Sequence, residues 1–327
     1  MIAVVSAERI RAALDVREAL RAIEEGFKAY SLGKAVVSPV GYLRFERPPG
    51  DCHIKAGYVL EDDVFVVKVA TGFYENSSRG LPPGNGFMAV ISARTGEPQA
   101  LLDDGGYLTD VRTAIAGLIA AKYLAPQPPT CIGIVGTGTQ ARLQLELLSG
   151  HYGHCPVRVW GRDKTKAAAF AAEAVARGHG AIPTEAIRDL CRECDLIVTA
   201  TASTVPLISS EWIRPGTHIT AVGADAVGKQ ELHPSVFGKA HIRVVDSLEQ
   251  CVDHGDAAHA VKAHAIVPAD LIELGSIIAG THTGRSGPEQ ITVADLTGLA
   301  VQDVQIAKCV WQKLRSSVAG RSGIDPG

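Results

Sequence analysis

The glycine-rich run Gly136-Thr137-Gly138-Thr139-Gln140-Ala141 carries the clearest chemical signal in the sequence. It has the form G-x-G-x-x-A and follows the apolar run 131–135, so it stands at a predicted turn from strand to helix. Gly136 permits a tight turn, Gly138 lets the backbone approach a pyrophosphate, and Ala141 lets the helix pack closely. Free amides at the helix N-terminus favour phosphate. The run predicts a dinucleotide-binding turn, and the alternative is a tight turn without a ligand.

The end of the next predicted strand bears on the choice of cofactor. An acidic residue at this place would bind the ribose 2′-hydroxyl of NAD. Here Gly161 occupies the place and Arg162 follows it. Arginine can pair with a 2′-phosphate and stack on adenine, which favours NADP. Asp163 leaves NAD open, and a surface arginine that caps the loop is the other interpretation of Arg162.

Alternating strands and helices surround this turn. Residues 140–148 and 164–177 have helical spacing. Short apolar runs typical of buried strands lie at 131–135, 157–160, 196–200, 218–222 and 242–245. This alternation predicts an α/β domain, a Rossmann-type doubly wound parallel sheet with helices on both faces.

The N-terminal part has a different pattern. Residues 6–32 predict an amphipathic helix, and β-rich runs with turns between 37 and 100 predict a mixed or antiparallel sheet. A helical pattern at 110–124 ends before the proline-rich linker 126–129, which is the predicted domain boundary. Residues 295–314 predict a turn and a helix that packs back on the first domain. The chain is therefore expected to have a second, mixed α+β domain.

The bulk composition excludes several classes of protein. The chain has 327 residues, 46% hydrophobic and 20% charged, which is an ordinary globular balance. A net charge of -3 gives no case for nucleic acid or an anionic membrane as a partner. No apolar stretch reaches the roughly 20 residues of a membrane span, and no targeting segment is visible. We therefore expect a cytoplasmic protein.

The seven cysteines fit reduced thiols better than a disulfide framework. Cys191 and Cys194 form a C-x-x-C pair, but a zinc ribbon needs a second pair or added histidines. His151, His154 and Cys155 are best explained as a solvated turn. No metal site is predicted.

Several further blocks, in order along nearly the whole chain, resemble the ornithine cyclodeaminase and mu-crystallin family. They are Thr95-Gly96-Glu97-Pro98, Leu108-Thr109-Asp110-Val111-Arg112-Thr113-Ala114, the glycine-rich run, Val222-Gly223-Ala224-Asp225, Gly228-Lys229-Gln230-Glu231-Leu232 and Thr297-Gly298-Leu299-Ala300-Val301-Gln302-Asp303.

The resemblance implies a homodimer of two-domain subunits. Its expected divisions are a substrate-binding and dimerisation domain at 1–126, a dinucleotide-binding Rossmann domain at 127–296, and a C-terminal segment at 297–327 that returns to the first domain. The family includes ornithine cyclodeaminases, alanine and arginine dehydrogenases, and ketimine or pyrroline-carboxylate reductases.

The resemblance also implies roles for individual residues. Lys68 matches the family's active-site lysine, although alternation alone would place it on a solvated face. It would bind the substrate carboxylate and assist proton transfer. Arg112 would bind that carboxylate or the cofactor pyrophosphate, since a solvated cation is disfavoured at a helix N-terminus. Arg44 is a second candidate carboxylate ligand. Asp225 would contact the substrate amine or move its proton.

One segment departs from the family pattern. Where many relatives have a stretch ending in Met-Pro, this chain has Cys52-His53-Ile54-Lys55-Ala56-Gly57. His53 and Lys55 alternate with apolar residues and so share one face of a strand. They either face solvent, or Lys55 replaces a missing ligand and changes the substrate preference.

The remaining expected cofactor contacts are spread over both domains. Asn85 lies in a segment that resembles the family's loop beside the nicotinamide, and Lys229 is either structural or on the cofactor side. With the glycines and Arg162, the expected contacts are Asn85, Arg112, Thr113, Thr139, Gln140, Thr201, Val222, Lys229 and Thr297.

Two reactions fit the same residues. In the first, NAD(P)H reduces the C=N bond of a small imino acid, or the reverse reaction oxidises an amino acid. In the second, the cofactor oxidises ornithine, the side-chain amine closes the ring, ammonia leaves, and the cofactor is regenerated. The resemblance favours a reductase or dehydrogenase. A cyclodeaminase that forms proline, or an NADPH-dependent ligand-binding protein, is the alternative.

Overall fold

A computed structural model describes residues 2–319, and its chain divides into two compact units. The first comprises the chain up to Arg112 together with the segment from Ala300 onward, and the second comprises Thr113–Leu299. The two units correspond to a mixed α+β domain and a Rossmann-type domain, so the predicted fold class is confirmed.

The first unit is built on a seven-stranded sheet with the order β1-β7-β6-β5-β4-β2, and β3 pairs with β4. Its strands are β1 (Ala3–Ser6), β2 (Ala35–Val37), β3 (Gly41–Glu46), β4 (Pro49–Val59), β5 (Val64–Phe73), β6 (Gly84–Ser92) and β7 (Pro98–Asp103). Only the β1–β7 pair is parallel among these described strands.

The helices of the first unit are α1 (Ala7–Ala13), α2 (Val16–Ser31), the start of α3 (Tyr107–Leu124) and α11 (Ala300–Ala319). The single helix predicted over 6–32 is two helices, because Asp15 caps a new helix by accepting hydrogen bonds from the amides of Arg17 and Glu18. The C-terminal helix α11 packs on α2 and on the sheet.

Helix α3 begins earlier than the sequence pattern indicates. The Asp104 carboxylate accepts a hydrogen bond from the amide of Leu108 at 2.6 Å and starts the helix at Tyr107. Arg112 therefore lies in the second turn and not at the N-terminus, so the helix dipole does not account for it. Beyond Arg112, α3 packs in the second unit, where Gln144 donates to the carbonyl of Thr113. This packing is why the two units divide inside α3, ahead of the proline-rich linker.

The second unit is an eight-stranded parallel sheet with the order β10-β9-β8-β11-β13-β17-β15-β16. Its strands, with the small pair β12 and β14, are β8 (Ile132–Val135), β9 (Val157–Trp160), β10 (Ala181–Pro183), β11 (Leu196–Thr199), β12 (Thr204–Ile208), β13 (His218–Ala221), β14 (Gln230–Leu232), β15 (Ile242–Val245), β16 (Leu271–Glu273) and β17 (Thr292–Asp295).

The helices of the second unit include α4 (Thr139–Tyr152), α5 (Lys164–Ala176), α6 (Ile187–Glu193), α7 (Pro234–Lys239), α8 (Leu248–Cys251), α9 (Asp256–Lys262) and α10 (Leu274–Ile278). The strand order reverses between β8 and β11, and open α/β sheets bind ligands at the carboxyl ends of the strands beside such a reversal. Within residues 2–319, the structure contains no helix with the length and hydrophobicity needed to traverse a bilayer.

Candidate active site

The first unit holds a buried cluster of charged side chains at Lys68, Arg112 and Asp303. The ammonium of Lys68, on β5, lies 2.9 Å from Oδ2 of Asp303 on α11, and Nε of Arg112, on α3, lies 3.0 Å from Oδ1 of the same carboxylate. Lys68 and Asp303 are each about 2% exposed. One carboxylate thus holds two cations that come from different elements.

Lys55 joins this cluster from the neighbouring strand. It is 5% exposed and stands directly opposite Lys68 in the β4–β5 register. Directly opposite residues put their side chains on the same face of a sheet. The interpretation of Lys55 as a solvent-facing residue is therefore wrong. His53, two residues earlier on β4, is only partly buried, and its ring lies 3.7 Å from Asp51.

The cluster changes the acid–base behaviour of Lys68. The pKa of Lys68 is lowered to about 7, chiefly by burial and then by the nearby charges of Arg112 and Lys55, while Asp303 opposes the shift. Burial on its own would raise the pKa of Asp303, but Lys68 and Arg112 hold it below its ordinary value. Near neutral pH, Lys68 can therefore both carry a charge and release a proton.

Gln302 completes the cluster. Its side-chain oxygen accepts a hydrogen bond from Nη1 of Arg112 at 3.1 Å. Its side-chain nitrogen is buried and has no hydrogen-bond partner among the described residues. A buried donor without an acceptor is costly, and a ligand oxygen would satisfy it.

Sequence reasoning assigned no role to Gln302 or Asp303. A signal was present, because both are polar residues in the first turn of a helix whose neighbouring positions are apolar. Buried polar side chains need partners, so two of them in one apolar helix indicate a polar partner elsewhere in the fold.

Two other predicted residues of the first unit lie outside the cluster. Arg44 is exposed on β3, opposite Asp51 in the register, and Asn85 is exposed on β6. The side-chain oxygen of Asn85 accepts from the amide of Gly86 at 2.8 Å. Their ligand roles stay predictions.

The second unit contains a cleft of about 340 Å³ at the end of β8. The residues around it come from the glycine-rich turn, the end of β9 and the segment after β11, and include Gly136, Thr137, Gly138, Arg162, Asp163, Lys166, Thr201 and Ser203. This is the reversal point of the sheet. The cleft is therefore where a dinucleotide would bind.

The two glycines of this turn have different functions. Gly136 has a φ of +128°, and a Cβ there would lie 2.5 Å from the carbonyl oxygen of Ala200. Gly136 is thus required by the turn itself. A Cβ on Gly138 would meet no atom within 4 Å, so the protein does not need the glycine for packing. The open space above Gly138 is what close approach of a pyrophosphate requires.

The end of β9 explains why no acidic residue follows the strand directly. A Cβ on Gly161 would lie 2.6 Å from Cγ2 of Thr137, so a side chain would collide with the glycine-rich turn. The Asp163 carboxylate accepts hydrogen bonds from the amides of Thr165 and Lys166 and caps α5. One oxygen of Asp163 is therefore engaged in the cap, while Arg162 is exposed beside the cleft.

Asp225 and Lys229 follow β13 and form an ion pair with a distance of 2.6 Å between Nζ and Oδ1. The Asp225 side chain is about half exposed, at 47%. Glu231, by contrast, is fully buried. Its carboxylate accepts from both the amide and the hydroxyl of Thr201, and also from Gly223, so it ties together the segments that follow β11 and β13.

The other residues predicted to contact the cofactor differ in where they lie and in how deeply they are buried. Thr139 and Gln140 begin α4 at the mouth of the cleft. Val222 is buried, and Thr297 is buried with its hydroxyl bonded to Gln250 and Asp246. Thr113 lies on α3 and is partly buried. None of these contacts is tested, and each stays a prediction.

Among the described residues, Cys191 and Cys194 do not belong to a group that could hold a metal. Cys194 lies against Cys131, with 3.1 Å between their sulfur atoms, and both are buried in the second unit. Within residues 2–319, no group of three or more His, Cys, Asp or Glu side chains could hold a metal ion.

Known proteins resemble this chain over most of its length. Residues 2–318 match the ornithine cyclodeaminase/mu-crystallin family. The chain is 37% identical to the alanine dehydrogenase of Archaeoglobus fulgidus, over 97% of this chain and 96% of the relative. Its fold is similar to that of an archaeal alanine dehydrogenase dimer with bound NAD (TM-score 0.89, 37% identity, 97% of each chain).

A second solved structure is equally similar in fold. It is the Thermococcus litoralis Δ1-pyrroline-2-carboxylate reductase in complex with NADH and L-proline (TM-score 0.90, 28% identity, 97% of this chain and 98% of that one). The family predicted from the sequence motifs is confirmed. The chain therefore belongs to the ornithine cyclodeaminase/mu-crystallin family and is, like these relatives, an enzyme.

Proposed function

We propose that the protein reduces the C=N bond of a small α-imino acid with a nicotinamide dinucleotide, or oxidises the corresponding amino acid in reverse. The observation that carries this proposal is the buried Lys68–Asp303–Arg112 cluster. Two cations that share a single carboxylate retain the capacity to bind a second one, and every α-imino acid has a carboxylate beside the reacting carbon.

Different residues of the chain have different roles in the proposed reaction. Arg112 binds the substrate carboxylate through its planar guanidinium, and Lys68 fixes the other carboxylate oxygen, which orients the imine carbon. Lys68 has a pKa of about 7 and can keep the imine nitrogen protonated, which makes the carbon more electrophilic. Asp225 is a second candidate for moving this proton. A nicotinamide dinucleotide bound at the glycine-rich turn of the second unit would supply or accept the hydride.

The cleft favours NADP(H) over NAD(H) as the cofactor. Arg162 and Lys166 both line it, and both are exposed beside the place where a 2′-phosphate would lie. The acid that could bind a 2′-hydroxyl, Asp163, is engaged as the cap of α5. Two available cations and one occupied carboxylate support binding of the phosphorylated ribose.

A homodimer is the proposed assembly. One face of the first unit's sheet exposes a row of apolar side chains, namely Val36, Leu43, Phe45, Ile54, Tyr58 and Phe87. Contiguous exposed apolar surface of this kind marks an interaction site. A second copy of the chain is the occupant we propose, since the similar archaeal alanine dehydrogenase is a dimer.

The experiment that tests the reaction follows the loss of NADPH absorbance with cyclic imino acids and with imines formed from α-keto acids and ammonium. We expect turnover in the wild-type enzyme and a loss of at least about 100-fold in kcat/KM in Lys68→Ala. Lys28→Ala, a surface variant on α2, is the matched control and should behave as wild type.

Two outcomes would contradict the proposed reaction. Ornithine converted to proline and ammonia, without net change in the cofactor, would identify a cyclodeaminase. Tight NADPH binding without turnover of any imine or amino acid would identify a ligand-binding protein.

A further inference from the structure

Two buried cysteines of the second unit have their sulfur atoms in contact. Sγ of Cys131 lies 3.1 Å from Sγ of Cys194, although the two residues are 63 positions apart in the chain. Cys131 directly precedes β8, and Cys194 follows α6 just before β11. Because β8 and β11 are neighbouring parallel strands, the two cysteines meet at the start of this strand pair. The spacing in the sequence pairs Cys194 with Cys191, whereas the fold pairs it with Cys131.

The backbone on both sides of this pair is held by one carboxylate. Asp195, the residue after Cys194, accepts hydrogen bonds from the amides of Thr130 and Cys131 and from the Thr130 hydroxyl. Gly133 leaves room for the pair, because a Cβ there would lie 3.2 Å from Cβ of Cys194. A disulfide brings two sulfur atoms to about 2.05 Å, so the pair can close through a movement of about 1 Å.

The two thiols differ in their readiness to react. The pKa of Cys131 is lowered, chiefly by the hydrogen bond from the Cys194 thiol and also by the charge of Arg158, while burial opposes the shift. The same hydrogen bond and burial raise the pKa of Cys194. Cys131 is also the more accessible of the two, at 7% exposed against 0%. Because the thiolate is the reactive form of cysteine, Cys131 is the sulfur that an oxidant meets first.

We propose that Cys131 and Cys194 form a reversible disulfide in the presence of hydrogen peroxide, and that Cys131 is oxidised first. The Cys131 thiolate attacks one peroxide oxygen, the O–O bond breaks and hydroxide leaves, which produces a sulfenic acid. The Cys194 thiol then gives up its proton and attacks this sulfur, the S–O bond breaks, water leaves and the S–S bond forms. In total two thiols are oxidised to one disulfide, and one hydrogen peroxide is reduced to two molecules of water.

The position of the link indicates that it stabilises the second unit and leaves the cleft open. Cys131 lies at the start of β8, whereas Gly136 of the glycine-rich turn follows the end of that strand, about 16 Å further along at the usual rise per residue. Joining residues that are 63 positions apart lowers the entropy of the unfolded chain and so favours the folded unit. The pair therefore protects the fold under oxidising conditions and takes no part in catalysis.

The test uses the intact chain, which is reduced, freed of reductant and treated with hydrogen peroxide before the remaining thiols are alkylated. Trypsin then separates the candidate cysteines, because Arg142 lies between Cys131 and the later cysteines, and Arg192 lies between Cys191 and Cys194. We expect mass spectrometry to find one linked pair of peptides, which contains Cys131 and Cys194 and is lost after treatment with dithiothreitol. Oxidation should also raise the Tm in circular dichroism by roughly 5–10 °C, and reduction should reverse the rise.

Two variants test the assignment of the two sulfurs. Cys194→Ala should abolish both the link and the rise in Tm, and a cyclic 1,3-diketone should then label Cys131 as its sulfenic acid. Cys155→Ala removes a more exposed thiol of the same unit and should retain the link, so it is the matched control. The proposal is overturned if peroxide leaves every wild-type thiol free for alkylation, joins Cys131 to Cys155 or Cys191 to Cys194, or oxidises Cys131 beyond the sulfenic acid without a link. None of these measurements requires a cofactor or a substrate, so they do not depend on the proposed reductase function.

Discussion

At the scale of single residues, Asp303 is the side chain on which the cluster depends. It is the counter-charge of both Lys68 and Arg112, and it opposes the effects that lower the pKa of Lys68. A buried lysine without this carboxylate would lose its proton more readily. In the proposed reaction, Asp303 therefore positions both cations and adjusts proton transfer at Lys68.

Replacing this carboxylate should move the pH profile. In the proposed reaction Lys68 acts in its protonated form in the reductive direction, so kcat/KM should fall as pH rises through its pKa. Asp303→Asn should lower that pKa and shift the falling limb by about one pH unit or more toward acid. Asp62→Asn, which breaks the ion pair with Lys308 on the rim of the same unit, should leave the profile in place. Identical profiles in wild type and Asp303→Asn would contradict the assignment.

A single residue, Arg162, is also expected to determine the preference between NADPH and NADH. Arg162→Gln should reduce the ratio of NADPH to NADH affinity by about tenfold or more, because a charge-assisted contact to the 2′-phosphate is lost. Nucleotide titrations would measure both dissociation constants. Arg188→Gln, an exposed arginine on α6, is the control. Equal affinity of the wild type for both nucleotides would count against the role of Arg162.

At the scale of elements, the two glycines of the glycine-rich turn should affect different properties: Gly138 the binding of NADPH, and Gly136 the stability of the fold. Gly138→Ala should cost about 1 kcal/mol or less of unfolding free energy, since its Cβ enters open space, but it should weaken NADPH binding about tenfold or more. Gly136→Ala should destabilise the fold itself. Gly150→Ala, in α4 and equally open, is the control. Urea unfolding and nucleotide titration measure the two effects, and unchanged NADPH affinity in Gly138→Ala would refute a pyrophosphate at this turn.

Features within one stretch of the chain could be predicted from the sequence, whereas contacts between distant elements could not. The glycine-rich turn was predictable because strand, turn and helix are adjacent in the chain. The partner of Arg112 was not, since Gln302 is 190 positions away and joins it only through the tertiary fold. The burial of Lys55 was left open because alternation fixes which residues share a face but not what covers that face. The cap formed by Asp163 was not predicted either, because the sequence does not decide which of several local hydrogen bonds an aspartate makes.

At the scale of the whole molecule, the exposed apolar face of the first unit's sheet should determine the oligomeric state. Leu43, on β3, is 54% exposed within this face, and Leu43→Asp should convert a dimer to a monomer because a charge cannot be buried there without a partner. Light scattering after size-exclusion chromatography gives the mass directly. Val175→Asp, at a position 55% exposed on α5, is the matched control. A monomeric wild type would dismiss the homodimer.

The return of α11 to the first unit affects how a growing chain can mature on the ribosome. Lys68 and Arg112 are synthesised early, but their shared carboxylate at Asp303 follows only after the whole of the second unit. The Rossmann-type unit is continuous in sequence and can fold as soon as it emerges. The first unit must wait, with Lys68 and Arg112 lacking this carboxylate, until α11 has been synthesised. A nascent chain that has not reached Asp303 therefore lacks the buried cluster, so the proposed activity requires synthesis to proceed past α11.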